Sequence, residues 1–445
     1  MNVLFISLGC DKNRVDSEEM IGLLRSAGHN VTDMEEEADV VVINTCSFIR
    51  DAKDESVETI IEMCDLKNQG VIKGVIVTGC LAEQYKSDIR NELTEIDAVL
   101  GTTAYESIVD AVNMIGTGKY CEYFKDINHL PKRTGKRVVS TGTFMAYLKI
   151  AEGCDKHCTY CIIPKLRGGY RSIPMDELID EAKNLSENGV KELTLVAQEI
   201  TVYGVDIYGK KMLPELLKNL SDIEGIEWIR LLYCYPEEID EELVKTMASL
   251  KKVCHYIDMP IQHASDDILK RMGRRTSRAD IEAKVAMLRE AMPDICIRTT
   301  LIAGFPGETK ADHEECMSFV QKMRFDRLGV FSYSREDGTP AAAFEDQIED
   351  ELKDSWRDEL MELQSEISYD NNSELIGQKL FVMIEGYLFD DDVYVGRSYR
   401  DCSEVDGYVF VSSQKELLTG SLVNVIINDC SEYDLYGQLV EEEIE

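Results

Sequence analysis

Long apolar runs are missing from this sequence. Nowhere do eighteen apolar residues follow one another, so no segment reads as a membrane-spanning helix. The opening stretch MNVLFISLGCDKNRVD also lacks a basic region before its apolar residues and a small-residue cleavage pattern after them. Export is therefore not expected, nor is a membrane partner, and the expected location is cytoplasmic. Basic charge is scarce as well. The chain carries 84 Asp and Glu against 48 Lys and Arg, a formal charge of −36. That balance opposes loose association with a phosphate backbone and suits either a basic partner or plain solubility. Cysteine, by contrast, is plentiful. Fourteen thiols in 445 residues, where disulfides rarely persist, point to metal or redox chemistry for at least some of them. With 44% hydrophobic residues, the length suggests two to four domains with real cores.

Over the first hundred residues one pattern recurs: an apolar β-branched run, a turn residue, a cysteine and a helical stretch. VLFISLGC ends at Cys10, DVVVINTC at Cys46 and VIVTGC at Cys80. Apolar runs alternating with amphipathic segments such as SEEMIGLLRSAG predict a parallel α/β domain, residues 1–121. The three cysteines then lie just past strand ends, the edge where ligands bind open α/β sheets. Residues 122–143 are polar and locally basic and read as a linker. From 144 to 370 six strand candidates alternate with helical segments: AYLKIAEGC, ELTLVAQ, IRLLYCYP, YIDMPIQ, IRTTLIAGFPG and LGVFSYS. They predict a partial (β/α)6, TIM-like barrel with its chemistry at the strand ends. Residues 373–445 hold short alternating strands that predict a small all-β, OB-like barrel. Sixteen acidic and four basic side chains there, a balance of −12, make a basic RNA-binding groove hard to build.

Cys154, Cys158 and Cys161 place three thiols within eight residues on the loop leaving the first barrel strand. That is close enough for three corners of one iron–sulfur cubane, leaving one iron open. An open iron can chelate the amino and carboxylate groups of S-adenosylmethionine (SAM), so that an electron cleaves the sulfonium and yields a 5'-deoxyadenosyl radical. Zinc is the alternative, with His157 available as a fourth ligand, although zinc sites usually pair their ligands and no second pair follows. Cys10, Cys46 and Cys80, taken singly, read as buried thiols at strand ends. Their shared placement on three repeated units favours a second three-thiolate cluster. The remaining cysteines, Cys64, Cys121, Cys234, Cys254, Cys296, Cys316, Cys402 and Cys430, receive no role.

The spacing Cys154-Asp-Lys-His-Cys158-Thr-Tyr-Cys161 and the residues around it resemble the radical SAM superfamily. The resemblance implies cofactor contacts from Gln198 in ELTLVAQEITVYG and from Arg298, Gly304, Pro306, Gly307 and Glu308 in RTTLIAGFPGET. Tyr160 is a further candidate for SAM, against its reading as a core aromatic, and the glycines also suit an ordinary strand-to-helix turn. His263 in MPIQHAS, at a strand end, reads equally as structural or catalytic. SLGCDKNRVDSE, INTCSFI and VTGCLAEQY look like the amino-terminal domain of methylthiotransferases, which join it to a radical SAM barrel and a TRAM barrel. What that implies is two 4Fe-4S clusters, the second on Cys10, Cys46 and Cys80 holding sulfur. One SAM would supply the methyl group and another the radical, with an external electron donor and a sulfur source as partners.

One branch of the family modifies an adenosine beside the anticodon of transfer RNA, and the other an aspartate of ribosomal small-subunit protein twelve. AQEITVYG, LLYCYPEEI with YIDMPIQHAS, and YSREDGTPAAAFEDQI resemble the second. His263-Ala264-Ser265 stands where the transfer RNA branch reads Ser-Gly-Ser, and Arg335-Glu336-Asp337 where it has a Pro-Arg-Pro pattern. Glu199, Ile200 and Thr201 depart from the aspartate and threonine pair that the resemblance leads one to expect. The expected reaction is methylthiolation of the aspartate β-carbon of a basic protein substrate, and the acidic chain argues against transfer RNA. Transfer RNA (adenosine-37) methylthiolation is the alternative. An iron–sulfur electron carrier is a second, though such a carrier needs no cavity of this size.

Overall fold

Apolar runs with no polar face can be buried only in a sheet covered on both sides. In this protein, described by a computed structural model over residues 1–133 and 135–440, the first such sheet is all parallel. Thr134 of the expected linker and residues 441–445 of the expected terminal barrel lie outside the described residues. The sheet's strands are β1 (Asn2–Ser7), β2 (Asn30–Thr32), β3 (Val40–Thr45), β4 (Gly74–Gly79), β5 (Ala98–Leu100) and β6 (Cys121–Tyr123), in the order β2-β1-β3-β4-β5-β6. Every residue of β3 and β4 is buried, and a separate apolar cluster covers each face. Because β6 reaches Tyr123, the first two residues of the expected linker belong to this sheet.

The second sheet is the barrel. Its strands are β7 (Met145–Lys149), then, after a short antiparallel hairpin of β8 (Ala151–Glu152) and β9 (Arg171–Ser172), β10 (Glu192–Val196), β11 (Trp228–Leu231), β12 (Val253–Asp258), β13 (Cys296–Ala303) and β14 (Arg327–Ser332). The six barrel strands pair in parallel in chain order, and β7 and β14 do not meet. The expected continuous strand AYLKIAEGC is broken at Ile150, because Ala151 and Glu152 turn away to pair with Ser172 and Arg171.

Alternate residues of these strands face outward into the largest apolar cluster, as Leu148, Leu195, Ile229 and Ile297 do. The inward set includes Tyr147, Val196, Trp228 and Tyr256. An unclosed barrel cannot fill its own interior, and here the filling comes from elsewhere in the chain. Val15 enters from the first helix, Asp11–Ser26, and Met383 and Cys402 from the carboxyl-terminal part. That part follows a long helix, Asp350–Ser373. It is a closed five-stranded barrel of β15 (Lys379–Leu388), β16 (Val393–Ser398), β17 (Val409–Ser412), β18 (Leu422–Cys430) and β19 (Leu435–Leu439). Among the described residues no helix is long and apolar enough to cross a membrane.

Buried ion pairs bind the three parts. Glu192 of β10, with no exposed surface, accepts from Arg230 Nε at 2.7 Å and from Arg397 Nη2 of β16 at 2.7 Å. Arg327 reaches Asp401 at 2.7 Å, and Arg400 reaches Asp326 at 2.7 Å. Basic residues of the expected linker serve the same end, since Arg137 bonds Glu18 at 2.6 Å and Glu181 at 2.7 Å. Burial alone would raise the Glu192 carboxyl, but Arg397 and Arg230 outweigh it and hold it at about 2.

Replacing Glu192 by Gln leaves the buried Arg230 guanidinium without a carboxylate and Arg397 with Glu385 alone, and should cost about 3–5 kcal/mol in urea unfolding at neutral pH. The folded carboxyl lies below its ordinary value of 4.5, so its contribution is present above that pH and fades as pH falls toward 2. The gap between native protein and E192Q should therefore narrow across that window, and a pH-independent gap would contradict the assignment.

Candidate functional site

Strand order decides where the first three thiols go. Cys46 and Cys80 follow β3 and β4 directly, Cys10 comes three residues after β1, and these strands are neighbours in the sheet. Adjacent strands lie about 4.8 Å apart, so all three thiols share one short edge. Two glycines permit the approach. At Gly9 (φ +84°) a Cβ would stand 2.7 Å from Cys46 Cβ, and at Gly79 (φ +95°) it would stand 2.4 Å from Asn44 Oδ1. Either side chain would push the thiol-bearing turns apart.

Cys154, Cys158 and Cys161 sit on the segment between β8 and the short helix Ile163–Arg167. Backbone bonds pin it: Cys154 N–H to Gly168 O at 3.1 Å, and Thr159 N–H to Met272 O at 2.9 Å. Gly153 N–H donates to Gln198 Oε1 at 2.9 Å, while Gln198 Nε2 donates to Glu152 Oε1 at 2.9 Å. Cys158 Sγ lies 3.9 Å from the Tyr235 hydroxyl, and the Arg274 guanidinium stacks 4.4 Å over the Tyr235 ring.

Burial pushes the Cys154 thiol up to about 11, Cys161 to about 12 and Cys80 to about 11, and raises Cys46 as well. All fourteen cysteines are free. In donor chemistry each set of three soft thiols, with Arg167 or Arg274 alongside, fits an anionic iron–sulfur cluster. Among the described residues no three His, Cys, Asp or Glu side chains converge on a single-ion position. His157 is exposed at φ 53°, turned out of the loop, which gives the zinc alternative no support.

The elements that carry the two sets touch because the thiol edge of the first sheet lies over the mouth of the barrel. Contact occurs at three places on the rim. Cys80 packs with Ile162 and Leu166, next to Cys161. Beyond β11, the Tyr233 hydroxyl donates to Asp11 Oδ1 at 3.1 Å, and Lys12 Nζ stands 3.3 Å over the Tyr233 ring. Beyond β14, Ser334 Oγ accepts from Arg50 N–H at 3.2 Å, and Glu336 pairs with Lys53.

The residues expected around SAM spread over this mouth. Gln198 closes on the Cys154 loop as described. Tyr160 packs on Met272, Phe305 and Tyr333. Arg298 is engaged by Asp258 at 2.8 Å and by Asp406 of the small barrel at 3.5 Å. Gly304 N–H is taken by Glu308 Oε2 at 2.7 Å, which also accepts from Phe305 N–H at 3.0 Å. His263, buried, has Nδ1 3.0 Å from Ser265 N and Nε2 3.3 Å from Glu308 Oε1, the latter an electrostatic approach without hydrogen-bond alignment. His263 thus steadies the carboxylate that shapes the GFPGE turn.

Sequence reasoning passed over Lys12, Asn13, Lys149, Glu152, Arg167, Tyr233, Tyr235 and Arg274. For three of them the signal was proximity: Lys12 and Asn13 stand two and three residues after Cys10, and Arg167 six after Cys161.

Three family models match the chain: Uncharacterized protein family UPF0004 over residues 2–101, the Radical SAM superfamily over 148–320 and the TRAM domain over 376–440. In overall fold the chain resembles the radical S-adenosylmethionine methyltransferase TsrM from Kitasatospora setae, with a TM-score of 0.54 at 15% identity over 76% of each chain. It also resembles the cobalamin-dependent S-adenosylmethionine radical enzyme OxsB, with a TM-score of 0.51 at 13% identity over 81% of this chain and 56% of that one. The class is therefore a radical SAM enzyme. Among curated proteins, the ribosomal protein uS12 methylthiotransferase RimO of Lachnoclostridium phytofermentans is 56% identical over 98% of this chain and 99% of its own length. The protein of that name from Clostridioides difficile is 46% identical over 99% of each. The chain belongs to the RimO family of ribosomal protein uS12 methylthiotransferases.

Replacing His263 by Ala frees Glu308 from its partner and should loosen the turn at 304–308. SAM affinity is expected to fall roughly tenfold, about 1.4 kcal/mol, in equilibrium dialysis, with iron content unchanged. Unaltered affinity would show that the turn is held without His263.

Proposed function

We propose that this chain methylthiolates the β-carbon of an aspartate in ribosomal protein uS12, with Cys154, Cys158 and Cys161 holding one 4Fe-4S cluster and Cys10, Cys46 and Cys80 another. In this reading residues 1–121 carry the sulfur-handling set, 144–370 the SAM-binding barrel and 373–445 the TRAM barrel, with 122–143 joining them. The observation that carries it is the packing of Cys80 against Ile162, beside Cys161, at the barrel mouth. When bound, the barrel cluster would drive reductive cleavage of one SAM, and the other would present sulfur that takes its methyl group from a second SAM.

The protein's own residues confine that chemistry. Lys12 and Tyr233 join the first sheet to the barrel rim beyond β11, and Gln198 fixes the loop of Cys154. By covering the mouth, the sheet edge would keep water from a substrate held there. Gln198, Tyr160, Arg298 and Gly304 are the proposed SAM neighbours, the last two acting chiefly by shaping the site. The substrate is a basic ribosomal protein, and the acidic terminal barrel, with Asp390, Asp391 and Asp392 beside a Phe389 that is 86% exposed, suits it better than transfer RNA. The reaction draws on an external electron donor and a sulfur source, in the cytoplasm.

Reconstituted protein, SAM, a reductant and a uS12 peptide should give a peptide carrying an added methylthio mass. Methylthiolated transfer RNA with unmodified peptide would overturn the substrate. The two thiol sets should separate in the same assay. Cys158→Ala should abolish both SAM cleavage and product, lowering each by at least about 100-fold. Cys80→Ala should abolish product while 5'-deoxyadenosine still forms.

A further inference from the structure

A single buried amide touches the supports of all three amino-terminal thiols. Asn13, with no exposed surface, donates from Nδ2 to Leu8 O at 3.1 Å and to Thr45 O at 3.0 Å. Leu8 lies two residues before Cys10, and Thr45 immediately before Cys46. The backbone carbonyl of Asn13 accepts from Asn44 Nδ2 at 2.8 Å. Its Oδ1 stands 3.9 Å from Cys80 Sγ. An amide in this place works in one orientation only, since two carbonyls demand the NH₂ end and the oxygen must meet a donor.

That donor comes from the other thiol set. Arg167 closes the helix that begins just beyond Cys161, and its side chain is 2% exposed. Nη2 donates to Asn13 Oδ1. Nη1 donates to Asp16 Oδ2 at 2.7 Å and to Glu152 Oε2 at 3.3 Å. Glu152 in turn bonds Gln198, and Gln198 holds Gly153 N–H, next to Cys154. A continuous hydrogen-bonded chain thus runs from the turns of Cys10 and Cys46, through Asn13, Arg167, Glu152 and Gln198, to the loop of Cys154. Lys149 completes the charge count, bonding Glu152 at 2.9 Å and pairing with Asp16. Two cations balance two anions, so the chain adds no net charge between the thiol sets. Its strength lies in direction, because a forked guanidinium fixes angles as well as distances.

Resting on the two-cluster reading, we propose that Arg167 is a positioning residue that sets the first thiol set in register with the second, by locking the Asn13 amide through its guanidinium. A lysine there keeps the charge and loses the fork. An aspartate at position 13 keeps the shape and turns an oxygen toward two carbonyls. Both should leave each cluster in place and spoil their mutual geometry.

The test uses Arg167→Lys and Asn13→Asp in the full-length, reconstituted protein. Iron and sulfide content should match the native protein, and SAM cleavage should persist. Methylthio product per 5'-deoxyadenosine should fall by on the order of 10- to 100-fold, the cost of about an ångström of misplacement. The spin coupling between the two reduced clusters, read by electron paramagnetic resonance, should change with it. An unchanged product ratio and unchanged coupling in both variants would overturn the inference, as would parallel loss of iron from both sets. A control separates the two readings: the triple variant replacing Cys154, Cys158 and Cys161 by Ala should still hold iron and sulfide. If it holds none, the two-cluster reading fails and the inference with it. If it does and the product ratio is native, the inference alone fails.

Discussion

A guanidinium held away from water demands a carboxylate, and in this chain the demand is repeatedly met across domain junctions. Arg397 of the small barrel finds Glu192 in the large one, Arg327 finds Asp401, and Arg167 finds Asp16 of the first helix. Such pairs add little stability over an apolar contact, but breaking one leaves a stranded charge at a cost of about 3–5 kcal/mol. Their effect is to make wrong arrangements expensive. In the observed placement of the three parts Arg397, Arg327, Arg400, Arg167 and Arg137 each face a carboxylate, and the thiol edge over the barrel mouth is a consequence of that placement.

The same logic explains the first helix. Lys12, Asn13, Asp16, Ser17, Glu18 and Glu19 are all buried, although periodicity assigns such residues to solvent. The helix turns its polar side toward the barrel because the barrel offers Lys149, Arg167 and, from the connecting segment, Arg137. It is a joint between domains as much as a layer of one.

Much of this architecture was legible in the sequence, and the reasons are local. Runs such as DVVVIN and GVIVTG admit few conformations other than a buried parallel strand, and the position of each thiol after its run followed directly. Strands β2, β5 and β6, three residues each, were not legible, since so short a segment carries no period and is held by its neighbours. At the candidate site, spacing and resemblance singled out the cysteines and Gln198 in advance. Arg298 was expected near SAM, and the structure spends its charge on Asp258 and Asp406, a partnership 108 residues distant that no local pattern encodes. Arg167 and Asn13 were invisible for the same reason: each is ordinary alone, and their meaning lies in the pair.

Met383 and Cys402 belong to the small barrel, yet their side chains complete the interior of the large one. A domain of this kind is usually thought of as a cassette, exchangeable among enzymes that differ in what they bind. Here the cassette also serves as the floor of its neighbour. Recombination that swapped in a foreign barrel would have to bring a matching plug and a matching arginine for Glu192. Divergence of substrate preference in such a lineage would therefore proceed by changes on the outer surface of the resident barrel, residue by residue, more readily than by wholesale replacement.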